Sequence, residues 1–164
     1  MRILMALSVL LLTYGCATVS PSIPEGYSGP RATLQDSGAT EGGTKGRVFA
    51  ALELDGQGIN NSLRETRIAS QNRGFALSFR LTDREVPAKK LKVKLIGTHI
   101  LAAPIHELAS RVAGTFFSVD GEVELTAEAG ETYIVTGELS KEKSCVWVMR
   151  RSSQSPASEK VCTK

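Results

Sequence analysis

Beyond residue 30 the chain alternates apolar and polar positions with a period of two, in short runs broken by turn residues, and this pattern predicts strands. Val48, Ala50, Leu52 and Leu54 alternate with Phe49, Ala51, Glu53 and Asp55, and the run stops at Asp55-Gly56. Phe75, Leu77, Phe79 and Leu81 alternate in the same way with Ala76, Ser78, Arg80 and Thr82. Between Lys90 and Leu95 the alternation is complete, with Lys90, Lys92 and Lys94 on one face and Leu91, Val93 and Leu95 on the other. Further strand-like runs are Arg31–Leu34, Leu63–Ser70, Gly121–Ala127, Thr132–Leu139, Cys145–Arg150 and Lys160–Thr163, with breaks such as Gly42-Gly43, Asp120-Gly121 and Ala129-Gly130 between runs. Helical spacing occurs at Pro104–Val112: Pro104 suits a first turn, and Ile105, Leu108, Ala109 and Val112 share one face.

About seven to nine short strands with one short helix predict an all-β chain, a single antiparallel sandwich or barrel-like domain. No internal repeat, heptad pattern or second break in composition divides it, so one domain is expected over residues 31–164. Hydrophobic residues make up 41% and charged residues 23%, which excludes wholesale disorder and a multi-span membrane protein.

The N-terminal residues follow a different pattern. Met1-Arg2 precedes an apolar run from Ile3 to Leu12, long enough for a signal peptide and too short to span a bilayer. The following Leu11-Leu12-Thr13-Tyr14-Gly15-Cys16 resembles the lipobox of bacterial lipoproteins, where a small residue precedes a cysteine that is acylated and becomes the new N-terminus. Thr13 and Tyr14 depart from the commonest form, which has Leu and then Ala or Ser at those places. The resemblance covers the first sixteen residues. It implies a signal peptide over 1–15, palmitate-type acylation of Cys16 and attachment to a membrane through the lipid. Ala17, in place of Asp, further implies the outer membrane of a Gram-negative bacterium, facing the periplasm. From Ala17 to Pro30 the chain turns to Ser, Pro, Gly and Thr, so a flexible tether is expected over 16–30, with a reach of about 45 Å at ~3.3 Å per residue.

Three cysteines leave one without a partner. Acylation of Cys16 resolves the count, and Cys145 and Cys162 then form a disulfide in an oxidising compartment. The antiparallel register that joins them also pairs Trp147 with Lys160 and centres a turn on Ser153-Gln154. Closing this loop stabilises the domain by roughly 3 kcal/mol in the chain-entropy account. Trp147 is expected in the core or against the disulfide.

The formal charge of +3 is too small to indicate a nucleic-acid partner. It is concentrated, however: nine basic residues from Arg64 to Lys94 face only Glu65, Asp83 and Glu85 in the same stretch. Arg80, Lys90, Lys92 and Lys94 form a candidate patch for an anionic glycan or lipid. The preferred account is plainer, that lysines on an exposed strand discourage edge-to-edge pairing. His99 and His106 have no cysteine nearby and are read as surface side chains, not metal ligands. No G-x-S-x-G elbow is present, and Asp55–Asn61 lacks the Lys-Ser/Thr of a phosphate loop, so it reads as a turn. No catalytic residue, metal or cofactor is expected.

Gly121–Leu125, Thr132–Gly137 and Cys145–Val148 are similar to segments of poorly characterised Gram-negative lipoproteins with a β-sandwich domain, which implies architecture and location only. The functional expectation is a non-enzymatic envelope lipoprotein that binds or supports another envelope component. An inhibitor of a hydrolase is the alternative, and a hydrolytic enzyme ranks last.

Overall fold

The computed structural model describes residues 19–163. The signal-like run and Cys16 lie outside the described residues. The elements in order are β1 (Arg31–Gln35), β2 (Ser37–Thr40), β3 (Lys45–Leu54), β4 (Gln57–Gly58), α1 (Ser62–Ser70), β5 (Asp83–Pro87), β6 (Lys90–Leu101), α2 (Pro104–Val112), β7 (Ser118–Thr126), β8 (Thr132–Glu138), β9 (Cys145–Arg150) and β10 (Val161–Cys162). They form two sheets of five strands. The first runs β10-β9-β8-β1-β5, and the second runs β2-β3-β6-β7 with β4 paired to β3. All pairings are antiparallel except β1 with β8. The result is an open sandwich and not a closed barrel.

Alternation along each strand builds the core. Leu34, Val86, Tyr133, Val135, Val146 and Val148 of the first sheet meet Phe49, Ala51, Leu91, Val93, Leu95, Val123 and Leu125 of the second. Full burial of one such aliphatic side chain stabilises by about 1.5–3 kcal/mol. The Phe49 ring needs the absence of side chains opposite it: a Cβ on Gly97 would come within 2.9 Å of the ring, and one on Gly137 within 2.6 Å.

β1 leads into β2 by switching sheets at Asp36, whose side chain is fully buried. Its Oδ1 accepts the Ala51 N–H at 3.1 Å and its Oδ2 accepts the Ser62 N–H at 2.7 Å. Nη2 of Arg84, on β5, lies 2.6 Å from the same Oδ2, with 6% of the Arg84 side chain exposed. Ala51 sits where the β3–β6 register shifts, and Ser62 opens α1. Four elements therefore converge on one carboxylate.

The structure corrects several expectations. Among the described residues there are ten strands, of which β2, β4 and β5 lie outside the predicted runs. Leu63–Ser70 is not a strand but most of α1, and Phe75–Leu81 joins no sheet. Asn61 caps α1 by accepting the Arg64 N–H at 3.0 Å. Ser62, Thr66 and Ser70, spaced four apart, then share a buried helical face. Their hydroxyls accept the backbone N–H groups of Thr82 at 2.8 Å, Arg80 at 2.9 Å and Ser78 at 3.0 Å. Thr66 also donates to the Arg80 carbonyl at 3.1 Å. Alternate N–H groups of 78–82 and the Arg80 carbonyl are thus bonded by helix side chains, which stand where a strand partner would on that edge. Its alternation is still used, because Leu77 and Phe79 turn inward against Val48, Ala50, Leu63 and Ile100 while Phe75 and Leu81 remain exposed.

α2 spans the predicted residues, but its apolar face is turned outward: Ile105, Leu108 and Val112 are 69%, 64% and 84% exposed. The hydroxyl ladder of α1 makes a direct prediction. Thr66→Val keeps the shape and removes both bonds to Arg80, so it should lower unfolding free energy by about 1–3 kcal/mol in a urea titration, with Thr66→Ser costing less.

Candidate functional site

The chain enters the folded domain beside α1. The Ser20 N–H donates to the Gly58 carbonyl at 2.7 Å, and Ser20 makes a parallel bridge with Ile59. From there Ser20, Pro21, Ser22 and Pro24 cross the end of the sandwich, closing a cavity of about 200 Å³ over Leu54, Pro87 and Leu91. The stretch expected to be a free tether over 16–30 is therefore held to the domain from Ser20 onward. On the other side of this attachment, Val19 borders a groove of about 610 Å³ floored by Leu52, Ile59, Leu63 and Ile96 and rimmed by Arg64, Arg67 and Ile68. Among the described residues neither Arg64 nor Arg67 has an ion-pair partner. Ile68 is 47% exposed and Val19 is 40% exposed.

The basic patch expected from the sequence has a different character. β6 is not an edge: it lies between β3 and β7, so Lys90, Lys92 and Lys94 face carboxylates on both neighbours. Lys90 Nζ lies 2.8 Å from Glu124, Lys92 Nζ 3.7 Å from Glu122, and Lys94 Nζ 2.9 Å from Glu53. The hydrogen bond and charge of Glu53 raise the Lys94 pKa. The lysine side chains remain well exposed, so each pair adds little stability, but together they neutralise the ladder. Arg80 sits on the segment between α1 and β5, and no hydrogen bond or ion pair among the described residues joins it to the lysines. The three lysines and Arg80 do not assemble into one uncompensated patch, and the edge-protection account also loses its premise.

His99 is buried, contrary to the surface reading. Its Nδ1 accepts the Phe117 N–H at 3.0 Å, and its Nε2 lies 3.7 Å from Glu41, which Lys45 and Arg47 also approach at 3.5 and 3.7 Å. Loss of solvent chiefly, and then the Lys45 charge, lower the His99 pKa, with Glu41 partly opposing them. His106 stacks on Phe75 with ring centroids 4.9 Å apart. Among the described residues, no group of three or more His, Cys, Asp or Glu side chains is arranged to hold a metal ion.

Cys145 and Cys162 are bonded and directly opposed in the β9–β10 register. Trp147 is on the outer face of the first sheet and not in the core, with Lys160 Nζ 3.9 Å from its ring centroid. That contact fits the expected Trp147–Lys160 pairing. Farther along the hairpin the register slips: Met149 bridges Pro156, and the Arg150 N–H donates to the Ser155 carbonyl at 2.9 Å. The turn consequently centres on Ser152-Ser153, one residue earlier than expected.

No family model, curated protein or solved structure matches this chain.

The His99 environment sets a pH dependence. A histidine whose folded pKa lies below its ordinary value of 6.5 takes up protons more readily when unfolded. Its contribution to stability is full above that value and is lost as pH falls toward the folded pKa. The melting temperature should therefore drop between pH 7 and pH 5, before the carboxylates titrate, and His99→Gln should flatten this part of the profile.

Proposed function

We propose that this chain is an exported lipoprotein, acylated on Cys16, that holds a non-enzymatic β-sandwich at the periplasmic face of the outer membrane and there binds or supports another envelope component. The observation that carries the reading is the division of the three cysteines. Cys145 and Cys162 are joined to each other, and the remaining Cys16 follows a basic start and a ten-residue apolar run, with Thr13-Tyr14-Gly15 between. A disulfide fits an oxidising compartment, as export requires. Two or more acyl chains, at about 0.8 kcal/mol per buried methylene, suffice for stable attachment where one chain is marginal.

The lysine ladder has no part in this proposal, since each of its ammonium groups already faces a carboxylate. The test is intact mass and membrane fractionation of the expressed full-length chain beside Cys16→Ala. A diacyl or triacyl mass increment and outer-membrane association in the wild type, both lost in the variant, are expected. A soluble wild type with an unmodified Cys16 would overturn the reading.

A further inference from the structure

We infer that the α1 side of the domain rests on the bilayer surface, with Val19 and Ile68 among the lipid headgroups and Arg64 and Arg67 against anionic lipid phosphates. The inference rests on acylation of Cys16 and adds to it an orientation. Only three residue steps separate Cys16 from Val19, a reach of at most about 10 Å. A domain of this length has a radius of gyration of about 15 Å. With Ser20 bonded to Gly58, the lipid cannot pass around the molecule, and the membrane must meet the side on which Val19 lies.

The chemistry of that side suits a headgroup layer. The inward face of α1 is polar, carrying Ser62, Thr66 and Ser70 to the 78–82 backbone, while Ile68 points outward. Ile68 is not used by the core, and it shares a groove with Val19, the residue through which the chain leaves toward Cys16. Arg64 and Arg67 rim the same groove without an ion-pair partner among the described residues, unlike the lysines of β6, and the carboxylate that also lines it, Glu53, is paired with Lys94. An apolar side chain flanked by free cations is the composition of an interfacial surface, which settles about 5–10 Å into the headgroup boundary. The exposed face of α2 is more apolar, but it follows the Leu101 end of β6 and carries no tether.

Trp147 supplies a reporter on the far side, since it lies on the outer face of the first sheet while α1 packs on the outer face of the second. The lipidated full-length protein is reconstituted into phosphatidylethanolamine–phosphatidylglycerol vesicles containing a lipid with a headgroup-level quencher. Tryptophan fluorescence is compared between the wild type and Ile68→Trp in a Trp147→Phe background. The indole at Ile68→Trp should be quenched at least about twofold more strongly than native Trp147, as insertion at the boundary requires. Adding Arg64→Glu and Arg67→Glu should reduce that difference. Hydrogen exchange on the unaltered chain gives a measure independent of the substitutions: residues 19–24 and 62–70 should exchange more slowly on vesicles than in soluble Cys16→Ala, with β9 unchanged. Equal quenching at the two sites, or protection of β9 instead of α1, while the protein still floats with the vesicles would overturn the orientation alone. Failure of the wild type to float would overturn the lipoprotein reading and the orientation with it.

Discussion

The Asp36 carboxylate holds the point at which the chain crosses from one sheet to the other. It ties the β1–β2 corner to the bulged position of β3, to the first turn of α1 and to Arg84 on β5. Removing two charges from water costs several kcal/mol per ion, and this arrangement offsets that cost only in part. Nη2 of Arg84 approaches Asp36 off the line of a regular hydrogen bond, and its Nε and Nη1 find no acceptor among the described residues. The pair is better understood as fixing where four elements meet than as adding net stability.

From that corner the remaining geometry follows. The bond from Ser62 to Asp36 sets the start of α1, and with it the spacing that delivers Ser62, Thr66 and Ser70 to the backbone of 78–82. α1 is then held over Val48, Ala50 and Ile100 by Leu63, with Ile68, Arg64 and Arg67 on its outer side. The groove that receives Val19 exists because α1 is held at this distance from β3 and β6. The N-terminal segment completes it through Ser20 and Gly58, so the same polar corner that orders the sandwich also decides which side the N-terminal chain leaves from.

The strands of the sandwich were legible in the sequence wherever one face is buried between sheets and the other meets water. β6 shows this best, its lysines outward and its aliphatics inward along the predicted run. The β9–β10 register was legible through its cysteines. α1 was not, because three of its inward positions are hydroxyls, and a pattern of Leu63, Thr66 and Ser70 carries no apolar helical stripe. Asn61 with the four-residue spacing of Ser62, Thr66 and Ser70 was the available signal. Phe75–Leu81 has the period of a strand and the packing of one, yet from Ser78 onward its hydrogen-bond partners are side chains from α1, which no periodicity encodes. Of the candidate sites, the lysines were visible as a charge run, but the glutamates that face them come from β3 and β7 and are distant in sequence. The unpaired Arg64 and Arg67 belonged to the same run and could be told apart only by their surroundings.

The burial of His99 was hidden for a similar reason: its neighbours come from two segments distant in sequence, Glu41 and Lys45 from the β2–β3 turn and the start of β3, and Phe117 from the residue before β7. The measurement that tests the role of Asp36 most directly is a double-mutant cycle by urea unfolding, using Asp36→Asn, Arg84→Met and the two together. Asp36→Asn leaves Arg84 buried without a counter-charge and places an amide against N–H donors, so a loss of about 3–5 kcal/mol is predicted, with the double variant losing less than the sum of the singles. A change in Asp36→Asn of no more than about 0.5 kcal/mol, the range of an ordinary surface substitution, would contradict the account.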